Sequence, residues 1–259
     1  MPSLILRLSL VALAVRLSTQ QSLFSQTNTW NSTFRLSPQQ IAAANLSEAV
    51  AHDLVVAIQY ERTNQAGSYT FEDPFYSLPD DYDAADPPPP GTPIKIEQYT
   101  NVTLRTMPMS IAMSRMLYMT ETLNGTAIPS SAYVLWPYMP RHFPNLTRYS
   151  GGEEVEKPLF PLFGLAHGTS GFNQACAPSN LRALWGDTST SFPLVLSGYA
   201  VVAPDYLGLG IADQASPYFV LPSQANDLFR AIEAAQKTWP DLLSKEFVIG
   251  GQSQGGGVS

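Results

Sequence analysis

Near its C-terminal end the chain reads Phe247-Val248-Ile249-Gly250-Gly251-Gln252-Ser253-Gln254-Gly255, a short apolar run striking a G-x-S-x-G pattern. A serine nucleophile must be lifted clear of a sheet on a sharp strand-to-helix turn. The strained backbone of such a turn leaves no room for side chains two residues before and after the serine. Gly251 and Gly255 stand at those two positions, and Gly256-Gly257 would let the next helix approach closely. The residue after the nucleophile opens that helix with an unpaired N–H, so Gln254 can offer a donor to a developing oxyanion. The bare pattern is weak, and a Gly-rich turn with an incidental serine is its plain alternative. The apolar strand ahead of it is what makes Ser253 a candidate nucleophile.

An oxyanion hole needs a second donor from another loop. His167-Gly168-Thr169 directly follows the apolar run ending at Ala166 and precedes the serine in sequence, where hydrolases with this elbow place that loop. The donor is then Thr169, or Gly168 if the loop is shifted by one. In this architecture the general base follows the serine, so His167 reads as a residue that orders the loop, and His52 and His142 as bland surface or helix residues. Asp205, in Val201-Val202-Ala203-Pro204-Asp205-Tyr206-Leu207-Gly208-Leu209-Gly210, could pass for a triad acid. A structural role is preferred, its carboxylate accepting local N–H bonds of a Gly-rich turn. Three dispersed histidines and one cysteine make no metal site, and no loop cradles phosphate, so no cofactor is expected.

These groups need a sheet to hold them. Short apolar, β-rich runs span 94–104, 115–122, 132–135, 159–166, 199–203 and 247–250. The last three are almost wholly apolar, as strands covered on both faces of a parallel sheet must be. Ser223 to Lys237 reads as a covering helix, with Ser223 as N-cap, Ala225, Leu228, Phe229, Ile232 and Ala235 on one side, and Trp239-Pro240 as its end. Strand, loop, strand, helix, strand is an α/β pattern. Ahead of it, 37–62 reads as helical, with Ser37 capping and Pro38 in the first turn. The stretch from Asp80 to Pro93 holds four consecutive prolines, Pro87 to Pro90, and reads as an extended strap. The expected organisation is therefore a leader over 1–20, a helical segment and Pro-rich strap over 21–93, and an α/β core over 94–259.

The 259 residues carry a net charge of -7, with 14 basic residues scattered singly. No polybasic face is available for nucleic acid. The apolar run from Leu8 to Val15 has the length of a signal-peptide core and is too short to span a bilayer. An apolar first strand or buried helix is the alternative. Sequons at Asn31, Asn45, Asn101, Asn124 and Asn145 favour secretion, since chance would give roughly two. In a secreted chain the single Cys176 suggests a disulfide partner elsewhere; a small buried residue is the equal alternative.

Taken together, His167-Gly168-Thr169, Cys176-Ala177-Pro178-Ser179, the run from Gly198 to Gly210 and Gly251 to Gly256 resemble the fungal secretory lipases of the lipase A type. Asp73-Pro74-Phe75-Tyr76, followed by the strap and Pro93 to Lys95, is similar to the same family, so the resemblance runs from about residue 70 onward. It implies an extracellular α/β-hydrolase, here its N-terminal portion with a mostly parallel sheet, that cleaves carboxylic esters of lipids through an acyl-enzyme on Ser253. It also implies that the triad aspartate and histidine, and a lid that would meet a lipid–water interface, lie C-terminal to the serine. On that resemblance the chain reads as the front part of an enzyme, inactive by itself, and Cys176 as separated from its disulfide partner. Rival readings are a carboxylesterase or aminopeptidase on the same scaffold, because the elbow reports acyl transfer and not the acyl group, or a non-catalytic secreted fragment.

Overall fold

The computed structural model describes residues 34–141, 149–150, 153–154, 159–186 and 189–259. The expected leader, His142, Asn31 and Asn145 lie outside them.

Ser37 caps the first helix, α1 (Pro38–Ala43): its hydroxyl accepts from Gln40 N–H, and the Gln40 side chain accepts the Ser37 N–H in return. The helix expected to continue to residue 62 stops here. Asn45 takes a left-handed φ of 50°, with Leu46 N–H bonded to Ile41 O and Asn45 N–H to Ala42 O. Asparagine tolerates that conformation well and so closes a helix end. Ser47 then caps a second helix, α2 (Glu48–Thr63).

Beyond the strap a six-stranded sheet forms from β1 (Pro93–Glu97), β2 (Ile111–Glu121), β3 (Ala127–Pro137), β6 (Phe160–Ala166), β7 (Ala200–Pro204) and β8 (Leu243–Gly251), in spatial order β1-β2-β3-β7-β6-β8. β4 (Tyr149–Ser150) and β5 (Glu153–Glu154) form a separate two-residue pair. β1, β2, β3 and β7 pair antiparallel in turn, while β6 pairs parallel with both β7 and β8. Hence β2, β6, β7 and β8 run one way, and β1 and β3 the other. The parallel part is the one that carries the 167–169 loop and the G-x-S-x-G turn.

Both faces of the sheet are covered. α3 (Ser191–Leu196) closes one, where Phe192 and Val195 meet Tyr133, Leu135, Val201 and Ala203. α4 (Leu221–Thr238) closes the other, where Leu228, Ala231, Ile232 and Ala235 meet Tyr118, Ala132, Val134 and Val202. All five β7 residues are buried as a result, which explains its unbroken apolar sequence. β8 departs from the expectation of a doubly covered strand. It is an edge of the described sheet, with Phe247 and Val248 exposed by 39% and 61%. α4 starts before the residue read as its cap: Pro222 occupies the first turn, Val220 precedes the helix, and Ser223 is buried inside it. Phe229 points outward and meets Phe247 edge-on rather than joining the apolar side.

Two buried carboxylates hold the loop after β7. Asp205 accepts from Ser131 Oγ at 2.6 Å, Ser179 N–H at 2.7 Å and Ser179 Oγ at 2.5 Å. Asp227, on α4, accepts from Leu207 N–H at 2.8 Å. Burial pushes the Asp205 carboxyl up to about 6 and that of Asp227 up to about 7. Both lie above the unfolded value of roughly 3.9, so the native state prefers them protonated. Their contribution to stability is complete below pH ~4 and is lost as pH rises through the raised values. The chain is therefore expected to be less stable at pH 8 than at pH 5, in urea titrations. Asp227→Asn, which keeps an acceptor for Leu207 N–H, removes part of that difference, on the order of 2 kcal/mol; an unchanged pH slope in the variant would contradict the assignment.

Candidate active site

The elbow is built by the parallel pairing of β6 with β8, which sets Ala166 beside Gly251. Gln252 N–H donates to Ala166 O at 3.2 Å, and the chain then turns sharply at Ser253. Ser253 is exposed and has a φ of 55°, a left-handed conformation that costs a non-glycine residue about 1–2 kcal/mol. A side chain at Gly251 would place its Cβ 2.0 Å from Gly255 O, and one at Gly255 would meet Ala166 O at 2.0 Å and His167 O at 2.7 Å. The two glycines thus let the turn fold onto itself and onto the neighbouring loop, the clearance expected of them. Residues Ser253–Gly257 then form a 3-10 turn rather than the α-helix expected from the sequence. Gly257 approaches Leu221 at the start of α4, where a Cβ would lie 2.8 Å from Leu221 Cδ1. Gly256 has open space on its side-chain face, with Gly251 O at 3.7 Å its nearest neighbour, so no close approach demands a glycine there.

The His167-Gly168-Thr169 loop is fixed from three sides. The His167 ring is buried and stacked on Tyr206, with ring centroids 4.0 Å apart. Its Nδ1 faces Gly168 O at 2.6 Å and its Nε2 faces Asp205 O at 3.2 Å. Burial pushes its pKa down to about 4, so the ring is neutral near pH 7 and donates one proton to one of the two carbonyls. The histidine orders the loop, as its position in the sequence suggested. Tyr206, with a φ of 71°, donates its hydroxyl to His167 O at 2.9 Å. The Trp185 indole lies against Gly168, where a Cβ would come 2.2 Å from Trp185 Cζ2, and Trp185 Nε1 donates to Thr169 O at 2.9 Å.

Elbow and loop meet through side chains. Thr169 Oγ1 donates to Gln254 Oε1 at 3.0 Å. Because a trans peptide sends its C=O and N–H in opposite directions, the Gly168 carbonyl facing His167 turns the Thr169 N–H away from that ring. Among the described residues neither Thr169 N–H nor Gln254 N–H donates to a backbone carbonyl of another element. Exposed Thr169 and buried Gln254 thus share one junction with Ser253, while Gly168 lies buried beneath Trp185. From the sequence only the backbone of Gln254 could be singled out, and no signal there points to Trp185.

Other candidates lie elsewhere. Asp205 is structural as expected, although its donors come from β3 and the Pro178–Asn180 turn rather than from local N–H groups of the Gly-rich turn. His52 is exposed on α2 with Nδ1 3.2 Å from Asp53. Cys176 is half-buried with a free thiol, its Sγ 3.6 Å from Asn173 Oδ1. Asn45, Asn101 and Asn124 are exposed.

No protein-family model matches the chain, nor does any curated protein sequence. Among solved structures it is similar to Candida antarctica lipase A in its closed state, with 20% identity, a TM-score of 0.50, and coverage of 74% of this chain and 41% of that one. It is also similar to the rice cell wall degrading esterase LipA of Xanthomonas oryzae, with 26% identity, a TM-score of 0.46, and coverage of 66% and 44%. The chain therefore spans less than half the length of either structure. The likeness to lipase A is one of fold, and the fold is that of an α/β-hydrolase.

The elbow glycine Gly255 and its neighbour Gly256 separate by substitution. Gly255→Ala must push its methyl into two backbone carbonyls and should lose about 1–3 kcal/mol or more in urea unfolding. Gly256→Ala should stay within about 0.5 kcal/mol of the parent. Equal losses would contradict the packing described.

Proposed function

We propose that this α/β-hydrolase fold carries the nucleophile and oxyanion donors of a serine hydrolase acting on carboxylic esters of lipids. The observation that supports it most is the exposed Ser253 hydroxyl on a left-handed turn, joined to the neighbouring loop by the Thr169–Gln254 hydrogen bond. In this reading Ser253 Oγ attacks the ester carbonyl carbon as its proton passes to a general base. The N–H groups of Gln254 and Thr169 hold the tetrahedral oxyanion, the alcohol departs with a proton, and water resolves the acyl-enzyme. Lipid esters are favoured by the resemblance of the motifs to secretory lipases and by exposed aromatic side chains close in sequence to residues of the site. Phe172 lies three residues past Thr169 and is 72% exposed, while Tyr218 and Phe219 stand exposed just ahead of Leu221, which touches the elbow turn.

The mechanism requires a histidine base. His167 is neutral and buried, with its two ring nitrogens set against the Gly168 and Asp205 carbonyls, and no hydrogen bond joins Ser253 to a histidine among the described residues. The chain assayed on p-nitrophenyl butyrate should therefore turn over no faster than its Ser253→Ala variant. In a natural form of the protein that supplies the base, Ser253→Ala should lower kcat by a factor on the order of 10⁴ to 10⁶. Ester hydrolysis that survives Ser253→Ala in that form would overturn the proposal. Activity on aminoacyl amides in place of triglyceride would transfer it to a peptidase.

Secretion with N-glycosylation completes the reading, supported by the apolar N-terminal run and by the exposure of Asn45, Asn101 and Asn124. Product from a eukaryotic secretory host should lose mass on peptide-N-glycosidase treatment; an unchanged mass would contradict it.

A further inference from the structure

A neutral imidazole carries one proton on two ring nitrogens, and in His167 both nitrogens face carbonyls. Nδ1 lies 2.6 Å from Gly168 O, and Nε2 lies 3.2 Å from Asp205 O. Among the described residues no backbone N–H from another element donates to either oxygen, so the position of the single proton decides which of the two is satisfied. A second proton does not resolve the competition, because burial pushes the ring's pKa down to about 4 and keeps it neutral near pH 7.

Distance resolves it. A bare nitrogen 2.6 Å from a carbonyl oxygen sets lone pair against lone pair at the short end of the hydrogen-bond range, whereas at 3.2 Å the same opposition is weaker. The proton therefore belongs on Nδ1. The ring is kept in this orientation by its stack on Tyr206, with centroids 4.0 Å apart and planes 26° apart.

The peptide that this proton meets is the one between Gly168 and Thr169. A half-turn of that peptide would exchange the directions of its C=O and N–H, and Gly168, without a Cβ, opposes such a turn least. The carbonyls on either side are held separately, His167 O by the Tyr206 hydroxyl at 2.9 Å and Thr169 O by Trp185 Nε1 at 2.9 Å. Between them the Gly168 carbonyl has the His167 ring as its partner.

We propose that His167 is a positioning residue held as the Nδ1–H tautomer, its proton donated to Gly168 O so that the Thr169 N–H stays turned away from the ring and available to an oxyanion at Ser253. The role rests on the hydrolase reading; the tautomer does not.

Nitrogen NMR of the chain labelled with ¹⁵N-histidine reads the tautomer. Of the three histidines, the one whose signals survive both His52→Gln and His142→Gln is His167. At pH 7 its Nδ1 should show the shift of a protonated nitrogen and its Nε2 that of a bare one. The reverse pattern, or equal shifts averaged by exchange, would overturn the assignment. The role is read from the thiol pKa of a Ser253→Cys chain in a Cys176→Ala background. An asparagine amide nitrogen reaches the place of Nδ1 and a glutamine amide nitrogen that of Nε2. His167→Asn should therefore leave the thiol pKa within about 0.2 of the parent, and His167→Gln should raise it by about half a unit or more. An equal rise in both variants, or none with glutamine, would overturn the role alone. A parent thiol at or above ~8.5 would overturn the hydrolase reading and the role with it. Should the His167 variants fail to fold, the tautomer in the native chain decides.

Discussion

The site depends on one contact between strands: β6 and β8 lie parallel and in a register that brings Ala166 against the elbow. Ala166 O takes the Gln252 N–H, and the same carbonyl lies 2.0 Å from where a Cβ on Gly255 would sit. A chain held that closely has little choice but to leave the strand through a left-handed residue, and Ser253 is that residue. The strain of about 1–2 kcal/mol at Ser253 is offset by burial spread over two covered sheet faces. It keeps the hydroxyl out of the packing.

The opposite wall is fixed by a different set of interactions. His167, Tyr206 and Trp185 hold the loop after β6 through one ring stack, hydrogen bonds from Tyr206 and Trp185 to the backbone carbonyls of residues 167 and 169, and the His167 ring set against the carbonyl of residue 168. With the Gly168 carbonyl turned to the His167 ring, the Thr169 N–H points away from that ring. Tyr206 in turn belongs to the turn that Asp205 and Asp227 anchor, so two buried carboxylates support the loop at one remove. A neutral, buried histidine is well suited to this task and poorly suited to accepting a proton from serine.

Much of this was legible in the sequence. Five buried residues in β7 demanded cover on both faces, and the elbow glycines announced a crowded turn before any contact was known. Other features were not legible, for physical reasons. The break between α1 and α2 rests on a single asparagine entering the left-handed region, a choice that helix periodicity does not reveal. The outward Phe229 and the exposure of β8 depend on which strands lie alongside, and no local pattern encodes that. Trp185 serves the loop across 16 residues of chain, so that pairing leaves no motif.

That the side chain at position 253 stands exposed before amide donors can be measured without any catalytic base. Ser253→Cys in a Cys176→Ala background places a single thiol at the elbow, whose alkylation rate by iodoacetamide as a function of pH gives its pKa. Amide donors that can hold an oxyanion also hold a thiolate, so the folded chain should label rapidly, with a pKa about one unit or more below the ordinary ~8.5. A thiol that reacts only after unfolding, or that titrates at or above ~8.5, would contradict this arrangement of the elbow.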